Sequence, residues 1–320
     1  MTITKPYASV IILVKNGLPY IKECLDAVFC QDVPWPFEVV VIDSGSQDGS
    51  LDVIKRTPAR LINIPPEEFN HGRTRNLGAD IALGEYLIYL VADATPVGKD
   101  WMLNLVRAAE IEGVAGAYSR HLPRPEHSLL TRTWVLRWHN QTERLIKSYP
   151  QNYQSLSPED RFRIALYDDV SSCMKKKVWV DFPYGEFTCE DVEWSDRVLA
   201  AGYKIVFEPT SIVLHSHQRS LKSDLKRIYV HSKQLYKFFG LSPIKNFAQL
   251  LRTCLWVIKD GFLLACQSNL SLKDKLSIIL QTPGYSARAI AEYLGPRSED
   301  LRRRFRWYSG LDQWLTRGMK

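Results

Sequence analysis

The chain alternates between short apolar runs and amphipathic stretches, and this alternation limits its fold more than any other feature. Ala8–Val14, Phe37–Ile42 and Tyr86–Val91 have the length of buried strands, and stretches with helical spacing follow them. Strands that alternate with helices in this way are typical of β-α-β units around a parallel sheet. The sequence therefore predicts an α/β protein in which helices flank a mainly parallel sheet.

The rest of the chain continues this pattern and then departs from it. The segment from Arg120 to about Pro150 is irregular, and we expect a surface insertion or a lid that faces an acceptor. Beyond Ser220 the pattern is helical and basic, so we place a boundary between a domain of residues 1–220 and a mainly helical region of residues 221–320. The other predicted elements are the strands Leu61–Ile64, Asp169–Met174, Lys204–Phe207 and Ile212–Leu214, and the helices Pro19–Cys30, Ser50–Arg56, Arg73–Leu83 and Cys189–Ala201.

The net charge is divided unevenly between these two parts. The whole chain has a net charge of +7, but residues 221–320 contain 18 Lys and Arg against 7 Asp and Glu, and residues 1–220 have a net charge of −4. A basic region of this kind is expected to meet phosphate, on a membrane surface or in nucleic acid; a solvated helical face is the alternative. With 45% hydrophobic residues, the composition excludes a disordered chain, collagen and a coiled coil.

Cysteine usage and the apolar segments predict a cytoplasmic protein. The six cysteines include no Cys-x-x-Cys pair, and a chain of this length does not need disulfides, so we expect reduced thiols. The first apolar run ends at Lys15 without a small-residue cleavage site, and we expect no signal peptide. Phe247–Cys266 is interrupted by Arg252, Lys259, Asp260 and Gly261, so we do not expect it to cross a membrane, and a position on a membrane surface is left open.

Three acidic positions are candidates for chemistry because of where they fall. Asp43 and Asp93 follow apolar runs, and ligands of open α/β sheets bind at the carboxyl ends of strands. We expect both carboxylates at the binding edge, with a surface turn as the alternative for each. Glu190 and Asp191 lie at the head of a predicted helix, where Asp191 is either a functional acid or the capping partner of Thr188.

Residues 68–78, Glu-Phe-Asn-His-Gly-Arg-Thr-Arg-Asn-Leu-Gly, open a helix with two glycines on either side of Arg and Asn. The start of a helix favours anions, and a guanidinium can bind phosphate through two hydrogen bonds. This segment therefore predicts a diphosphate clamp. Its glycine spacing matches neither a P-loop nor a dinucleotide-binding fingerprint.

Two histidines, His215 and His217, follow a predicted strand at a spacing of two residues. In an extended chain such residues point the same way, as metal ligands can. Histidines that lie on the surface by chance are the alternative.

In this order and spacing, these features resemble a family 2 glycosyltransferase with the GT-A fold, a Rossmann-like α/β domain that here has a C-terminal helical extension. The similarity extends from about Ser9 to Ser220. It rests on Ser9-Val10-Ile11-Ile12, Asn16, Val41–Ser50, Arg75–Gly78, Gly84–Tyr86, Asp93, Glu190-Asp191 and His217. More narrowly, the segments that resemble the rhamnosyltransferase branch are Phe69–Gly78, Ala92–Pro96, and His215–His217 with Ser220–Lys222.

The resemblance implies a role for each of these residues. Asp43 is expected to bind the base or ribose of the donor, and Arg75 and Asn76 to approach its diphosphate. Asp191 is expected to act as the base, with Glu190 binding the acceptor or orienting Asp191. A divalent ion, Mg²⁺ or Mn²⁺, is implied on Asp93 and His217, with His215 as the alternative ligand. Val91 occupies the first position of the usual D-x-D metal motif, which leaves Asp93 as its only carboxylate. The implied nucleotide-sugar site as a whole contains Asn16, Asp43, Ser44, Gly45, His71, Arg75, Asn76 and Asp93.

The implied activity is inverting transfer of L-rhamnose from dTDP-L-rhamnose to a hydroxyl of a cell-envelope or surface polysaccharide, or of its lipid-linked precursor. A UDP-hexose or UDP-N-acetylhexosamine donor is the first alternative, and a non-catalytic GT-A protein that binds glycan is the second. Leu301–Tyr308 mixes cations with aromatic residues, so we expect peripheral association with the inner face of the cell membrane. We do not expect a nucleic-acid partner, because the acidic cluster lies in a domain of net charge −4 and no known binding module is evident.

Overall fold

A computed structural model describes residues 5–318, which form two units. The first unit contains the chain up to Leu122 together with His139–Leu156 and Arg163–His215. The second contains Pro123–Trp138, Ser157–Phe162 and the chain from Ser216 onward. The last segment of the second unit begins at Ser216. Two earlier segments also belong to the second unit, which the sequence pattern did not indicate.

The first unit is built on a single nine-stranded sheet. Its strands are β1 (Ala8–Val14), β2 (Phe37–Asp43), β3 (Arg60–Asn63), β4 (Tyr86–Val91), β5 (Thr95–Pro96), β6 (Val114–Leu122), β7 (Leu145–Lys147), β8 (Ser171–Lys175) and β9 (Lys204–Leu214). They follow the order β3-β2-β1-β4-β8-β6-β9-β5, and β7 pairs with β9. β1 to β4 are parallel, and β6 and β9 run in the same direction, whereas β5, β7 and β8 are antiparallel to their neighbours. The predicted α/β class with a mainly parallel sheet is confirmed.

Helices lie between these strands along the chain, and all of them except the fifth and part of the sixth belong to the first unit. They are α1 (Tyr20–Phe29), α2 (Ser50–Ile54), α3 (His71–Ile81), α4 (Trp101–Glu110), α5 (Leu129–Trp138), α6 (Pro158–Ala165), α7 (Lys176–Asp181) and α8 (Glu190–Ala200). β1 is buried along nearly its whole length, as expected for a parallel strand covered on both faces. Gly78 allows α3 to approach this strand, because a Cβ at that position would lie 2.5 Å from Ile11 Cγ2. The close approach holds α3 against the sheet.

Besides small shifts in element bounds, two differences from the predicted elements change the strand count or the unit to which a segment belongs. β9 is one strand rather than two, because residues 209–211 bulge between the pairs Ser119–Glu208 and Arg120–Ile212 without ending the strand. The segment predicted to be irregular contains α5 and β7. α5 packs in the second unit, where Trp134 stacks on Tyr285 with ring centroids 5.9 Å apart.

The second unit is helical. Besides α5 it contains α9 (Leu221–Phe239), α10 (Phe247–Ala265), α11 (Leu272–Leu294), α12 (Ser298–Arg304) and α13 (Tyr308–Thr316). α10 and α11 form an antiparallel hairpin with a close crossing, because a Cβ on Gly261 would lie 2.2 Å from Thr282 Oγ1. Within residues 5–318, none of the helices combines the length and apolar character that a membrane span requires.

Candidate active site

The strand directions gather the candidate residues at one edge of the sheet. β2, β4 and β9 run the same way, so their carboxyl ends share an edge, and Asp43, Asp93 and His215 lie at or just after those ends. β8 runs in the opposite direction, so the residues that precede it, Asp168 and Asp169, reach the same edge. These two carboxylates precede a strand, so their place in the sequence does not indicate that they lie at this edge. The antiparallel direction of β8 would have been the signal.

Asp43 is buried and organises the loop that follows β2. Its Oδ2 accepts hydrogen bonds from the backbone N–H groups of Gly45 at 2.8 Å and Ser46 at 3.0 Å. Gly45 has a φ of +89°, and a Cβ there would lie 2.7 Å from Pro66 Cγ, so a side chain is disfavoured. Asp43 therefore forms the turn that was its alternative assignment, and this turn fixes its carboxylate at the sheet edge.

The loop after β1 is tied to the same turn. The backbone N–H of Asn16 donates to Ser46 Oγ at 2.7 Å, and Asn16 Oδ1 accepts from the backbone N–H of Gln47 at 2.8 Å. Asn16 has a φ of 53°, a left-handed conformation that asparagine tolerates. Ser44 is buried and donates from its hydroxyl to the Val14 carbonyl at 3.3 Å. Asn16, Ser44 and Gly45, all predicted in the donor site, thus belong to one pair of linked loops.

Close backbone contact aligns the first turn of α3 with the segment before α8. Asn70 caps the helix, because its Oδ1 accepts a hydrogen bond from the backbone N–H of Arg73 at 3.0 Å. His71 is the first residue of α3. A Cβ on Gly72 would lie 1.8 Å from the carbonyl oxygen of Gly185, so only glycine fits at this position.

Arg75 is buried between two carboxylates. Its guanidinium pairs with Glu190, and its Nε lies 3.4 Å from Asp169 Oδ2. All three side chains are less than 10% exposed, so each charge depends on its partners. The guanidinium also lies 5.9 Å from the centre of the Tyr184 ring. Arg75 therefore connects α3 to the start of α8.

Asp169 is the buried acid that the sequence did not single out. It accepts hydrogen bonds from Ser172 Oγ at 2.7 Å and from the Tyr184 hydroxyl at 2.8 Å. Burial raises the pKa of its carboxyl to about 6, against the lowering effect of Arg75. The group is therefore ionised at pH 7 and contributes a negative charge to the site.

Asp191 lies beside this network at the start of α8. Burial raises the pKa of its carboxyl well above the ordinary value, and the negative charges of Glu190 and Asp169 raise it further. The residue that precedes α8 is Cys189, with a φ of 71°, so the helix does not begin at Thr188 and the capping alternative for Asp191 is not formed. A half-buried carboxylate with a raised pKa is a stronger base than an exposed one.

Asn76 holds the segment between α7 and α8. Its Oδ1 accepts from the Trp179 indole N–H at 2.9 Å and from the backbone N–H of Tyr184 at 3.0 Å, and its Nδ2 donates to the Tyr184 carbonyl at 2.9 Å. The structure therefore shows Asn76 and Arg75 in positioning contacts within the protein. Their predicted approach to a diphosphate stays a prediction.

One group of side chains that could hold a metal contains Asp93. The nearer oxygen of Asp93 lies 3.8 Å from Nε2 of His215, the alternative ligand, which is buried. A carboxylate oxygen and an imidazole nitrogen are both ligands of divalent transition metals. His217 follows His215 by two residues and falls in the first residues of the second unit.

A second group, which the sequence did not indicate, contains His121, His139 and Asp168. One ligand atom from each residue lies within 4.8 Å of the others, and the two imidazole rings stack with their centres 4.3 Å apart. Burial lowers the pKa of His121, and burial together with the neighbouring His121 lowers that of His139 to about 4. Both rings are therefore neutral at pH 7, which is the form that binds metals.

Comparisons with known proteins define the class and then the family. A mannosyltransferase structure, "PcManGT from Pyrobaculum calidifontis in complex with GDP-Man and Mn2+", aligns with a TM-score of 0.56 and 17% identity over 92% of this chain and 88% of that one. The first unit has the GT-A fold. The model of "Glycosyl transferase family 2" matches residues 9–169, half of the chain, and the protein belongs to this family.

Two curated relatives illustrate the range within the family. The O-antigen chain rhamnosyltransferase RfbN of Salmonella typhimurium is 26% identical over 215 residues, 64% of this chain and 65% of its own length. The glycosyltransferase AglE of Haloferax volcanii is 26% identical over 272 residues, 82% of this chain and 83% of its own length. The chain thus spans slightly less than two thirds of the rhamnosyltransferase that it matches.

Proposed function

We propose that the protein is an inverting glycosyltransferase in which Asp191 is the catalytic base. The observation that carries this proposal is the half-buried Asp191 carboxyl with its raised pKa, beside the buried charges of Arg75, Asp169 and Glu190 in a family 2 chain. Asp191 takes the proton from an acceptor hydroxyl while that oxygen forms a bond to the anomeric carbon. The bond to the nucleoside diphosphate breaks on the opposite side, so the anomeric configuration inverts.

Glu190 supports Asp191 in this mechanism. It is buried and paired with Arg75, so its carboxylate has little freedom to reach an acceptor. Its charge raises the pKa of Asp191. Of the two roles that the resemblance implies for Glu190, this arrangement favours orienting Asp191 over binding the acceptor.

We propose that Asp93 and His215, together with His217, hold a divalent ion. With Val91 in the first D-x-D position, oxygen ligands are few, and a set that includes imidazole suits Mn²⁺ better than Mg²⁺. The mannosyltransferase with the same fold is described with Mn²⁺, which supports this choice. A bound ion of this kind would stabilise the charge that develops on the departing diphosphate.

We infer that the donor is dTDP-L-rhamnose and that the acceptor is a hydroxyl of a cell-envelope polysaccharide or its lipid-linked precursor. The name of the relative RfbN, an O-antigen chain rhamnosyltransferase, supports both parts of this inference. A UDP-hexose or UDP-N-acetylhexosamine donor is the alternative, and the GDP-Man of the mannosyltransferase structure adds a third donor to test.

We also propose that the protein binds an anionic membrane surface, at the inner face of the cell membrane, where a lipid-linked acceptor would be presented. The net charge of +11 in residues 221–320 supports this partner. Phe305 and Trp307 are 45% and 68% exposed among the arginines of the 301–308 segment.

A donor panel tests the enzymatic proposal. Thermal stabilisation and nucleotide release would be measured with dTDP-L-rhamnose, UDP-glucose, UDP-N-acetylglucosamine and GDP-mannose, each with Mn²⁺ and with EDTA. We expect stabilisation by dTDP-L-rhamnose that requires Mn²⁺. If only a UDP or GDP sugar stabilised the protein, that nucleotide sugar would be assigned as the donor instead of dTDP-L-rhamnose. If glycan bound but no nucleotide sugar did, the non-catalytic alternative would be correct.

A further inference from the structure

α10 carries an exposed apolar stripe along one side. Its members recur at intervals of three or four residues, so on an α-helix they fall within about 80° of one another. Their exposed fractions range from 48% to 65%. Buried apolar residues such as Leu250 and Val257 lie on another side of the same helix. The residues of the α10 stripe are Phe247, Leu251, Leu255, Ile258 and Phe262.

α11 carries a matching stripe. Leu272, Leu276, Ile279 and Leu280 are 51% to 79% exposed and follow the same helical spacing. Side chains of this size are usually buried, and a large exposed apolar patch marks an interaction surface. Two adjacent helices therefore each expose apolar side chains.

The two stripes lie on the same face of the hairpin. The helices meet where Gly261 approaches Thr282 and where Cys254 accepts a hydrogen bond from Ser286 at 3.3 Å. Successive residues of an α-helix are rotated by 100° about its axis. On this basis each stripe lies about a quarter turn from the line of contact, and the direction of rotation, viewed along each helix from its own N-terminus, is the same for both. Because the helices are antiparallel, equal rotations in the same sense point to the same side. We call this side the hairpin face.

α5 packs against the opposite side of the hairpin, where Trp256 is still 51% exposed. Trp134 packs against Trp256 and Tyr285, with ring centres 5.8 and 5.9 Å away, and Arg137 pairs with Asp260 at 2.6 Å. Trp256, Tyr285 and Asp260 are rotated from the line of contact in the opposite sense to the stripes. α5 therefore leaves the hairpin face exposed.

The exposed charged side chains beside the two stripes are positive. Arg252, Lys259 and Lys273 are exposed, and none of them forms an ion pair within residues 5–318. The nearby acids are already engaged, since Asp260 pairs with Arg137 and Asp274 accepts from Ser271 Oγ at 2.6 Å. An apolar face bordered by Lys and Arg is typical of helices that lie in a membrane interface.

We propose that the hairpin face is the membrane-binding surface of the protein, with α10 and α11 lying in the plane of an anionic lipid interface. The charge pattern favours lipid over a second copy of the chain, because pairing two hairpin faces would bring like charges together. The proposal deepens the membrane association proposed above and rests on it. It moves the main contact from the 301–308 segment to the hairpin.

Vesicle co-sedimentation of the full chain tests this assignment, with vesicles of phosphatidylcholine alone and with added phosphatidylglycerol. The apolar variant is Leu255→Ser with Phe262→Ser, and its matched control is Leu83→Ser with Val180→Ser, where the replaced side chains are 53% and 64% exposed in the first unit. The charge variant is Arg252→Gln with Lys259→Gln. Its matched control is Arg303→Gln with Arg306→Gln, within the exposed residues 302–307.

We expect the wild type to bind the anionic vesicles and the apolar variant to bind at least about tenfold more weakly. The charge variant should lose about fivefold per residue at low salt, and neither control should change by more than about twofold. If the Arg303 and Arg306 control bound more weakly and the hairpin variants were unchanged, the hairpin face would not be the contact surface. The protein would still bind the membrane, through the 301–308 segment. A wild type that binds no vesicle would overturn both. A wild-type dimer by light scattering that the apolar variant converts to monomer would assign the face to a second copy.

Discussion

The two units depart from the usual distribution of side chains in opposite ways. The first unit buries charge, since Arg75, Asp169 and Glu190 are each less than 10% exposed, whereas the second exposes large apolar side chains such as Leu255 and Phe262. Removing charges from water and leaving apolar surface in water both reduce the free energy of unfolding. Such departures are the informative ones, and they are the two places where we propose a function.

The largest effect is expected at the base. Asp191→Asn keeps the shape of the side chain but cannot accept the acceptor proton, so kcat should fall by about 10²–10⁴-fold while donor binding is retained. The measurement is nucleotide release with saturating donor and acceptor. Glu193→Gln is the control on the same helix; Glu193 pairs with Arg197 at 2.7 Å, and this variant should keep most of its activity. Unchanged transfer by Asp191→Asn would remove this residue from the base role.

The buried charges of the first unit are expected to give the largest effect on stability. Arg75→Met leaves Asp169 and Glu190 buried without their cation and should lower the free energy of unfolding by about 3–5 kcal/mol. Arg73→Met, two residues earlier on α3, breaks a pair with Glu186 in which the side chains are 57% and 54% exposed, and should cost about 0–1 kcal/mol. Urea denaturation followed by tryptophan fluorescence measures both. Equal losses in the two variants would show that the buried ion pairs of Arg75 stabilise the fold no more than the exposed pair of Arg73.

Stability should also depend on pH through Asp169. The pKa of its carboxyl is raised to about 6 from 3.8, so between these values the folded chain holds a proton that the unfolded chain has released. Its contribution to the free energy of unfolding therefore falls as the pH rises through this range and is constant above it. We subtract the free energy of unfolding of Asp169→Asn from that of the wild type. This difference should fall by about 1–3 kcal/mol between pH 4 and pH 7. A difference that stays constant would contradict the raised pKa.

The smallest effect is expected on the exposed face of the second unit. Leu255→Ala removes an exposed side chain and should change the free energy of unfolding by less than about 0.5 kcal/mol. Leu264→Ala, on the buried side of the same helix, should cost about 2–4 kcal/mol. Thermal denaturation followed by circular dichroism compares them. A large loss at Leu255 would mean that this face contributes to the fold rather than being available to a partner.

Local sequence patterns were enough to predict the elements that depend on local signals. β1 and β4 have the predicted bounds because each is a continuous apolar run between turn residues. α5 was missed because it is stabilised by packing of Trp134 against other helices of the second unit, and the sequence around it has no clear period. Asp43, Asp93 and Asp191 could be singled out since each lies next to the end of an element.

The remaining site residues depend on strand pairing. Asp168 and Asp169 reach the edge because β8 pairs antiparallel with both β4 and β6. His121 joins them from the end of β6, and His139 from a segment whose course the sequence did not reveal. Their proximity is a property of the sheet order, which is set by long-range contacts and not by any local stretch of sequence.

The contact between Gly72 and Gly185 has a consequence for engineering the donor specificity of this protein. Main chain touches main chain there, a few residues from Arg75 and from the start of α8, so the alignment of the two helices does not rely on side-chain packing at that point. A library that varies the surrounding side chains can therefore explore new nucleotide sugars while the catalytic frame stays in place. The two glycines are the positions that such a library should leave unchanged.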